Sequence, residues 1–159
     1  MALVSAPLRA SIAGARAAVK VATEKLGGET IEPAFAAMFW HGLRDHRDEF
    51  FSAAADAVAR GQTLWRLSVA QTAPPLALAG AQLIEWGGAQ RWLVSDEPAA
   101  QVRAAAVGAG GRATAFRHGD LRGRVFAPLA APLARIHREL KAAFDPDRVF
   151  NPGRLYPEL

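Results

Sequence analysis

The sequence contains no cysteine. That excludes a disulfide scaffold, a thiol nucleophile and a thiolate-ligated zinc or iron–sulfur centre, and it fits a reducing cytoplasm. Long apolar runs are missing too, because charges interrupt each one, so the sequence has no integral membrane segment. Residues 1–22 contain Arg9, Arg16 and Lys20 and no acidic residue. This superficially resembles a transit peptide, but the same residues fit a first strand and helix better. Lysine is scarce: sixteen of the nineteen basic residues are arginine, which lifts the pI to about 10.3 although the net charge is only +4. No Lys/Arg run gathers these charges, which argues against a nucleic-acid partner.

What remains is an ordinary globular composition, 51% hydrophobic and 21% charged over 159 residues. One domain with a real core is the expectation, covering residues 1–159. Residues 8–12 read as a short strand and 15–26 as a helix, with Ala15, Val19, Ala22 and Leu26 inward and Gly27-Gly28 as its stop. A second helix begins at Pro33 and carries Phe35, Met38, Phe39, Gly42 and Leu43 into the charged patch 44–49. The state of the alanine-rich residues 52–61 stays open, since propensity alone is a weak guide.

From Gln62 the apolar period becomes two. Leu64, Arg66 and Ser68 share one face of a strand, and Trp65, Leu67 and Val69 the other. Residues 83–86 and 90–94 form a hairpin around Gly87-Gly88, read as a two-residue turn. Ser95 or Asp96 caps the next helix, with Glu97 and Pro98 in its first turn and Gly110-Gly111 at its end. Residues 112–117 are a strand, 118–120 a loop and 121–128 a connector. The last helix carries Leu129, Leu133, Ile136, Leu140 and Phe144 as one apolar stripe, expected to face a core, and stops at Asp145, before Pro146. Hairpin strands mixed with crossover helices, in two β-α-β units, indicate an α+β domain. The predicted form is a ferredoxin-like antiparallel sheet with helices packed on one face.

Searching for chemistry yields mostly negatives. The glycine pairs lie at element ends, not in a phosphate-cradling loop. His41 and His46 are five apart and share no helix face, and His137 reads as a packed or half-exposed side chain. Glu85, between Ile84 and Trp86, reads as a strand's solvent-face carboxylate. An arginine set on neighbouring β elements, Arg66, Arg91 and Arg117 with Arg122 and Arg124 beyond, is more suggestive. If Arg66 and Arg91 share a sheet face, their forks suit a small carboxylate; the alternative is a solvated outer face. Residues 140–159, LKAAFDPDRVFNPGRLYPEL, keep Val149, Phe150, Leu155 and Tyr156 around a type II turn at Pro152-Gly153. A fraying terminus normally loses such residues.

The tail FDPDRVFNPGRLYPEL resembles the end of FAD-linked oxidases of the vanillyl-alcohol-oxidase/D-lactate-dehydrogenase type. The segments TLWRLSVAQTAPPL, QLIEWGGAQRWL and RHGDLRGRVFAPL resemble a narrower family, the E subunit of bacterial glycolate oxidase. The resemblance implies a C-terminal cap domain whose N-terminal FAD-binding domain is absent from this chain, and a full subunit that takes part in oxidising glycolate to glyoxylate by hydride transfer to FAD. It implies as partners that FAD-binding domain, other flavoprotein and iron–sulfur subunits, and a small 2-hydroxy acid. It further implies a cytoplasmic location, peripheral to the inner membrane through partner subunits.

By the same resemblance Asn151, Arg154 and Tyr156 lie toward the flavin, and Arg91, Arg117 and His118 toward the substrate. The chain alone is expected to be flavin-free and inactive, and residues 1–7 to be a linker remnant. Related 2-hydroxyacid dehydrogenases carry a histidine-rich motif in the cap; here only His118 stands in an RHGD loop, so catalytic residues stay unassigned. Without its flavin domain the tail should be loosely held, packed back on its own domain or covered by a second copy. Two rival readings stay open. One is an assembly module docking through Trp86, Trp92, Phe150 and Tyr156; the other, an RNA-binding ferredoxin-like module, lacks base-stacking strand aromatics.

Overall fold

The structure, a computed structural model, describes residues 11–118 and 125–159. The chain divides into two compact units, residues 1–45 and 46–159. The first holds helices α1 (Arg16–Leu26) and α2 (Pro33–Arg44). Gly27, at φ 64°, ends α1. The Glu32 carboxylate accepts from the Ala34 and Phe35 N–H groups and caps α2, with Pro33 at its first position. In α1, Val19 and Ala22 are half-buried while Leu26 is exposed. Of the expected strand at 8–12, residues 8–10 lie outside the described residues, and Ser11 and Ile12 adopt no regular structure.

The second unit begins with α3 (Glu49–Ala59), which settles the alanine-rich stretch as helix; the Asp48 carboxylate accepts from the Phe51 N–H at 3.1 Å and caps it. There follow β1 (Thr63–Ser68), β2 (Ala81–Glu85), β3 (Gln90–Ser95), α4 (Ala99–Gly108), β4 (Arg112–Arg117) and α5 (Ala131–Phe144). The four strands form one sheet in the order β2-β3-β1-β4, every neighbour antiparallel. The fold is α+β, with the antiparallel ferredoxin-like sheet that the sequence predicts. Of the two expected β-α-β units, β3-α4-β4 is present; the other depends on residues 8–10. The β1–β2 connection, residues 69–80, is irregular. Pro74 and Pro75 remove two backbone donors there, which disfavours a helix.

Strand alternation assigns the faces. Trp65, Leu67, Leu93, Ala113 and Ala115 pack with Val102 and Ala106 of α4, and with Val69 and Leu78 of the irregular connection. The opposite face carries Leu64, Trp92 and Val94, and the Phe51 ring of α3 lies 5.1 Å from that of Trp92. So α4 takes the position expected of a helix on the sheet, while α3 rests against the other face. The cause is visible in β1 and β3, whose buried apolar residues point both ways.

Two local expectations differ from the structure. The β2–β3 loop spans four residues, Glu85 pairing with Gln90, because Trp86 joins Gly87 and Gly88 at positive φ. Helix α4 starts at Ala99 with no side-chain cap. The Ser95 hydroxyl instead donates to the Ala79 carbonyl at 2.7 Å, and the Glu97 carboxylate accepts from the Ala79 N–H at 2.7 Å. These groups fasten the connection to the sheet rather than starting a helix. Among the described residues no helix is long and apolar enough to cross a membrane.

Gly111 tests the packing. A Cβ there would fall 1.8 Å from the Ser68 carbonyl oxygen, whereas one on Gly108 would meet nothing within 4 Å. Gly111→Ala should lower stability by about 1–3 kcal/mol, the range for overpacking. Gly108→Ala, within a helix, should raise it by roughly 0.5–1 kcal/mol. Urea midpoints of both variants read the contrast; equal midpoints would contradict the close approach.

Candidate functional site

The chemistry on the α3 face of the sheet is set by one irregularity. Leu64 pairs with Arg117 but Trp65 with Ala115, so Phe116 is an extra residue in β4. Such a bulge re-aims the side chains around it. Here it brings Arg117 opposite Leu64, onto the face that holds Arg66. Both guanidinium carbons lie 5.9 Å from the centroid of the Phe116 ring. The predicted pairing of Arg66 with Arg91 does not form: Arg91 opposes Leu67 and Arg66 opposes Trp92, which puts the two arginines on opposite faces. The bulge supplies Arg117 in its place.

Behind these arginines stands an aromatic wall. The Phe116 ring is 4.9 Å from Trp92, and the His46 ring is stacked on Phe51 at 3.9 Å with its plane tilted 16°. His46 also meets Trp92 at 5.0 Å and Phe116 at 5.5 Å, both edge-on. It reaches this place with φ at 54°, a left-handed backbone that non-glycine residues adopt at a cost of order 1 kcal/mol. Burial first, and the Arg117 guanidinium second, hold the imidazole below its usual titration range; Glu85 and Asp48 pull weakly the other way. Glu85 is no solvated strand carboxylate. It accepts from the Trp92 indole N–H at 2.7 Å and from the Gln90 amide at 3.0 Å, fixing the wall.

The sequence-predicted substrate residues occupy different settings. Arg91 is 3% exposed and donates to three backbone carbonyls: Gly88 at 3.2 Å, Pro74 at 2.6 Å, and Ala73. It clamps the irregular connection against the hairpin. Arg117 is exposed on the α3 face, and His118 follows it, half-buried. Arg122 and Arg124 lie outside the described residues. His46 is the residue that sequence reasoning misses. Nothing in RDHRDEFF marks a positive φ, and the only local signal is a histidine beside the paired phenylalanines.

The tail forms a separate locus. Asp145, buried at the end of α5, accepts from the Val149 N–H at 2.9 Å, the Phe150 N–H at 3.0 Å and the Lys141 ammonium. The Arg154 N–H donates to the Asn151 carbonyl at 3.2 Å with Gly153 at φ 67°, as the predicted turn requires. Tyr156 is half-buried, its ring 6.0 Å from both Phe126 and His137. The tail is therefore packed back on its own unit, yet Val149 and Phe150 remain 70% and 67% exposed. Asn151 and Arg154 are exposed beside them, and the structure does not bring these tail residues together with Arg117 or His118 into one described contact.

An antiparallel α+β sheet of this order, closed by a helix and an NPG turn, is consistent with the cap domain of a FAD-linked oxidase. Comparison with curated proteins bears out the resemblance read from the sequence. Over 146 residues, 92% of its length, the chain is 47% identical to glycolate oxidase subunit GlcE of Escherichia coli (strain K12). The chain spans 38% of that protein's length. No family model matches the chain, and no solved structure matches it.

The Asp145 carboxyl is held below its ordinary range, first by the Lys141 ammonium and then, against the effect of burial, by the Val149 and Phe150 amides. A carboxylate depressed in the folded state contributes stability above its unfolded pKa and loses it as pH falls through the folded one. Protection of the Val149 and Phe150 amides should therefore persist below about pH 4, the ordinary carboxylate range, and vanish at still lower pH. Asp145→Asn should abolish that protection at neutral pH. Hydrogen exchange followed by NMR measures both.

Proposed function

We propose that this chain is the C-terminal, substrate-side cap of a glycolate oxidase flavoprotein subunit, and that the complete complex oxidises glycolate to glyoxylate. The observation that carries the reading is the 47% identity over 92% of the chain to glycolate oxidase subunit GlcE. FAD bound in the full subunit would accept the hydride lost from the substrate carbon. This chain's own contribution is positioning. Arg117 and His118 supply a guanidinium and an imidazole on the substrate side, and Arg91 supports that side indirectly by holding the connection and hairpin in place. Asn151 and Arg154, exposed on a rigid turn, present an amide and a guanidinium of the kind that hydrogen-bond flavin oxygens. Tyr156 backs them from its seat on Phe126 and His137. The other partners in this reading are the FAD-binding domain and the remaining flavoprotein and iron–sulfur subunits.

A second reading, a subunit-assembly role, is favoured by a different observation. Trp86 is 75% exposed at the hairpin tip, and the α5 stripe Leu133, Ile136, Leu140 and Phe144 faces outward rather than into the expected core, Phe144 at 82%. Trp92 and Tyr156 take no part in such a surface, since the first is buried and the second half-buried.

The experiment is anaerobic addition of glycolate to the full-length subunit assembled in its complex. Flavin absorbance should bleach, and Arg117→Ala or His118→Ala should each lower kcat/KM by about tenfold or more with the complex intact, as loss of one charge-assisted contact predicts. Trp86→Ala with Phe144→Ala should instead weaken co-purification of the partner subunits while leaving kcat/KM of the surviving complex unchanged. Absence of glycolate-dependent bleaching overturns the main reading. The 159-residue chain by itself should bind no stoichiometric FAD in calorimetry.

A further inference from the structure

We infer that the Arg66–Phe116–Arg117 face, with the His46 imidazole at its rim, is a binding site for a small 2-hydroxycarboxylate. Neither guanidinium has a carboxylate partner among the described residues. Each lies 5.9 Å from the centroid of one shared ring, so both cations border the same aromatic surface. An anion seated on that ring can be met by both. A guanidinium fork matches the planar carboxylate in a way that an ammonium does not. The floor is apolar: Phe116 backed by Trp92. A small acid can shed water against it and gain from the lower local dielectric.

His46 adds the second half of the recognition. Its ring plane is covered by Phe51 and its neighbours are ring edges, which leaves the imidazole half-exposed beside Arg117. The charged groups around it are Arg117 of β4, Glu85 of β2 and Asp48 at the start of α3, with Arg66 of β1 sharing the Phe116 ring. Burial and Arg117 disfavour the protonated ring, and in the neutral ring one nitrogen is an acceptor. It can take the proton of a hydroxyl adjacent to the carboxylate in a hydrogen bond. The hydroxyl half of this inference rests on the glycolate reading; the carboxylate half rests on the arginines alone.

The test is an NMR titration of the 159-residue chain with glycolate, following the His46 ring protons and the Trp92 indole N–H. Saturable shifts of both are expected. Arg66→Ala and Arg117→Ala, both at exposed positions, should each weaken binding about tenfold without moving the urea midpoint. Bound glycolate offsets the Arg117 charge, so the His46 titration midpoint should rise on saturation, and Arg117→Ala should raise it without ligand. Acetate, which lacks the hydroxyl, should bind several-fold more weakly.

Unmoved His46 and Trp92 signals, or unchanged binding in both arginine variants, would overturn the site. Acetate binding as tightly as glycolate would overturn the role of His46, and inorganic phosphate binding more tightly than glycolate would overturn the carboxylate assignment. Saturable glycolate binding here, with no flavin bleaching in the full subunit, would leave the site standing and remove the functional reading. Glycolate-dependent bleaching in the full subunit, with no saturable shift of His46 or Trp92 in the titration, would do the reverse.

Discussion

The second unit is governed by one constraint: its two central strands bury apolar side chains on both faces. In β1, Leu64 and Trp65 are adjacent and point opposite ways, and both are fully buried; in β3, Trp92 and Leu93 repeat the pattern. A sheet so made cannot leave a face in water, because each large side chain is worth roughly 1.5–3 kcal/mol in burial. Helix α4 covers one face with Val102 and Ala106, and the irregular connection adds Val69 and Leu78. Helix α3 covers the other with Phe51. The connection lacks regular hydrogen bonds, which is why a buried arginine is tolerated beneath it: Arg91 supplies donors to carbonyls that no helix or strand satisfies.

The position of Arg117 follows from a single inserted residue. Without the bulge, continuing the Trp65–Ala115 register would set Leu64 against Phe116 and Thr63 against Arg117. Arg117 would then share the α4 face with Trp65, and a charged head would enter a packed apolar layer. The extra residue moves it to the side where Arg66 and His46 lie. A shift of one position changes the face of every later side chain in a strand, so the bulge decides which chemistry is possible there.

Much of this fold can be read from residue order. The alternation in TLWRLSV gives both faces of β1, and Pro33, Gly27 and Pro146 mark helix ends where the backbone physics is local. The tail turn at Pro152-Gly153 is equally legible, for the same reason. What escapes is non-local. Ser95 and Glu97 carry capping chemistry, yet their partner is Ala79, sixteen and eighteen residues away. The partnership of Arg66 depends on the register with β4, and an inserted residue leaves no mark in RATAFR. Glu85 looks solvent-facing by alternation, and only the Trp92 indole across the hairpin shows otherwise. His46 requires both a backbone conformation and three ring neighbours from other elements, none of them adjacent in sequence.

The Asp145 carboxylate fixes more than a turn. By holding the Val149 and Phe150 amides it removes backbone freedom from residues whose side chains stay outside. Ordering a residue's backbone ordinarily consumes about 1–2 kcal/mol of free energy. Here that term is met within the chain itself, before anything touches those side chains. A surface that covers Val149 and Phe150 therefore meets a preorganised ledge, and its association is opposed by translational and rotational entropy rather than by the folding of a loose end.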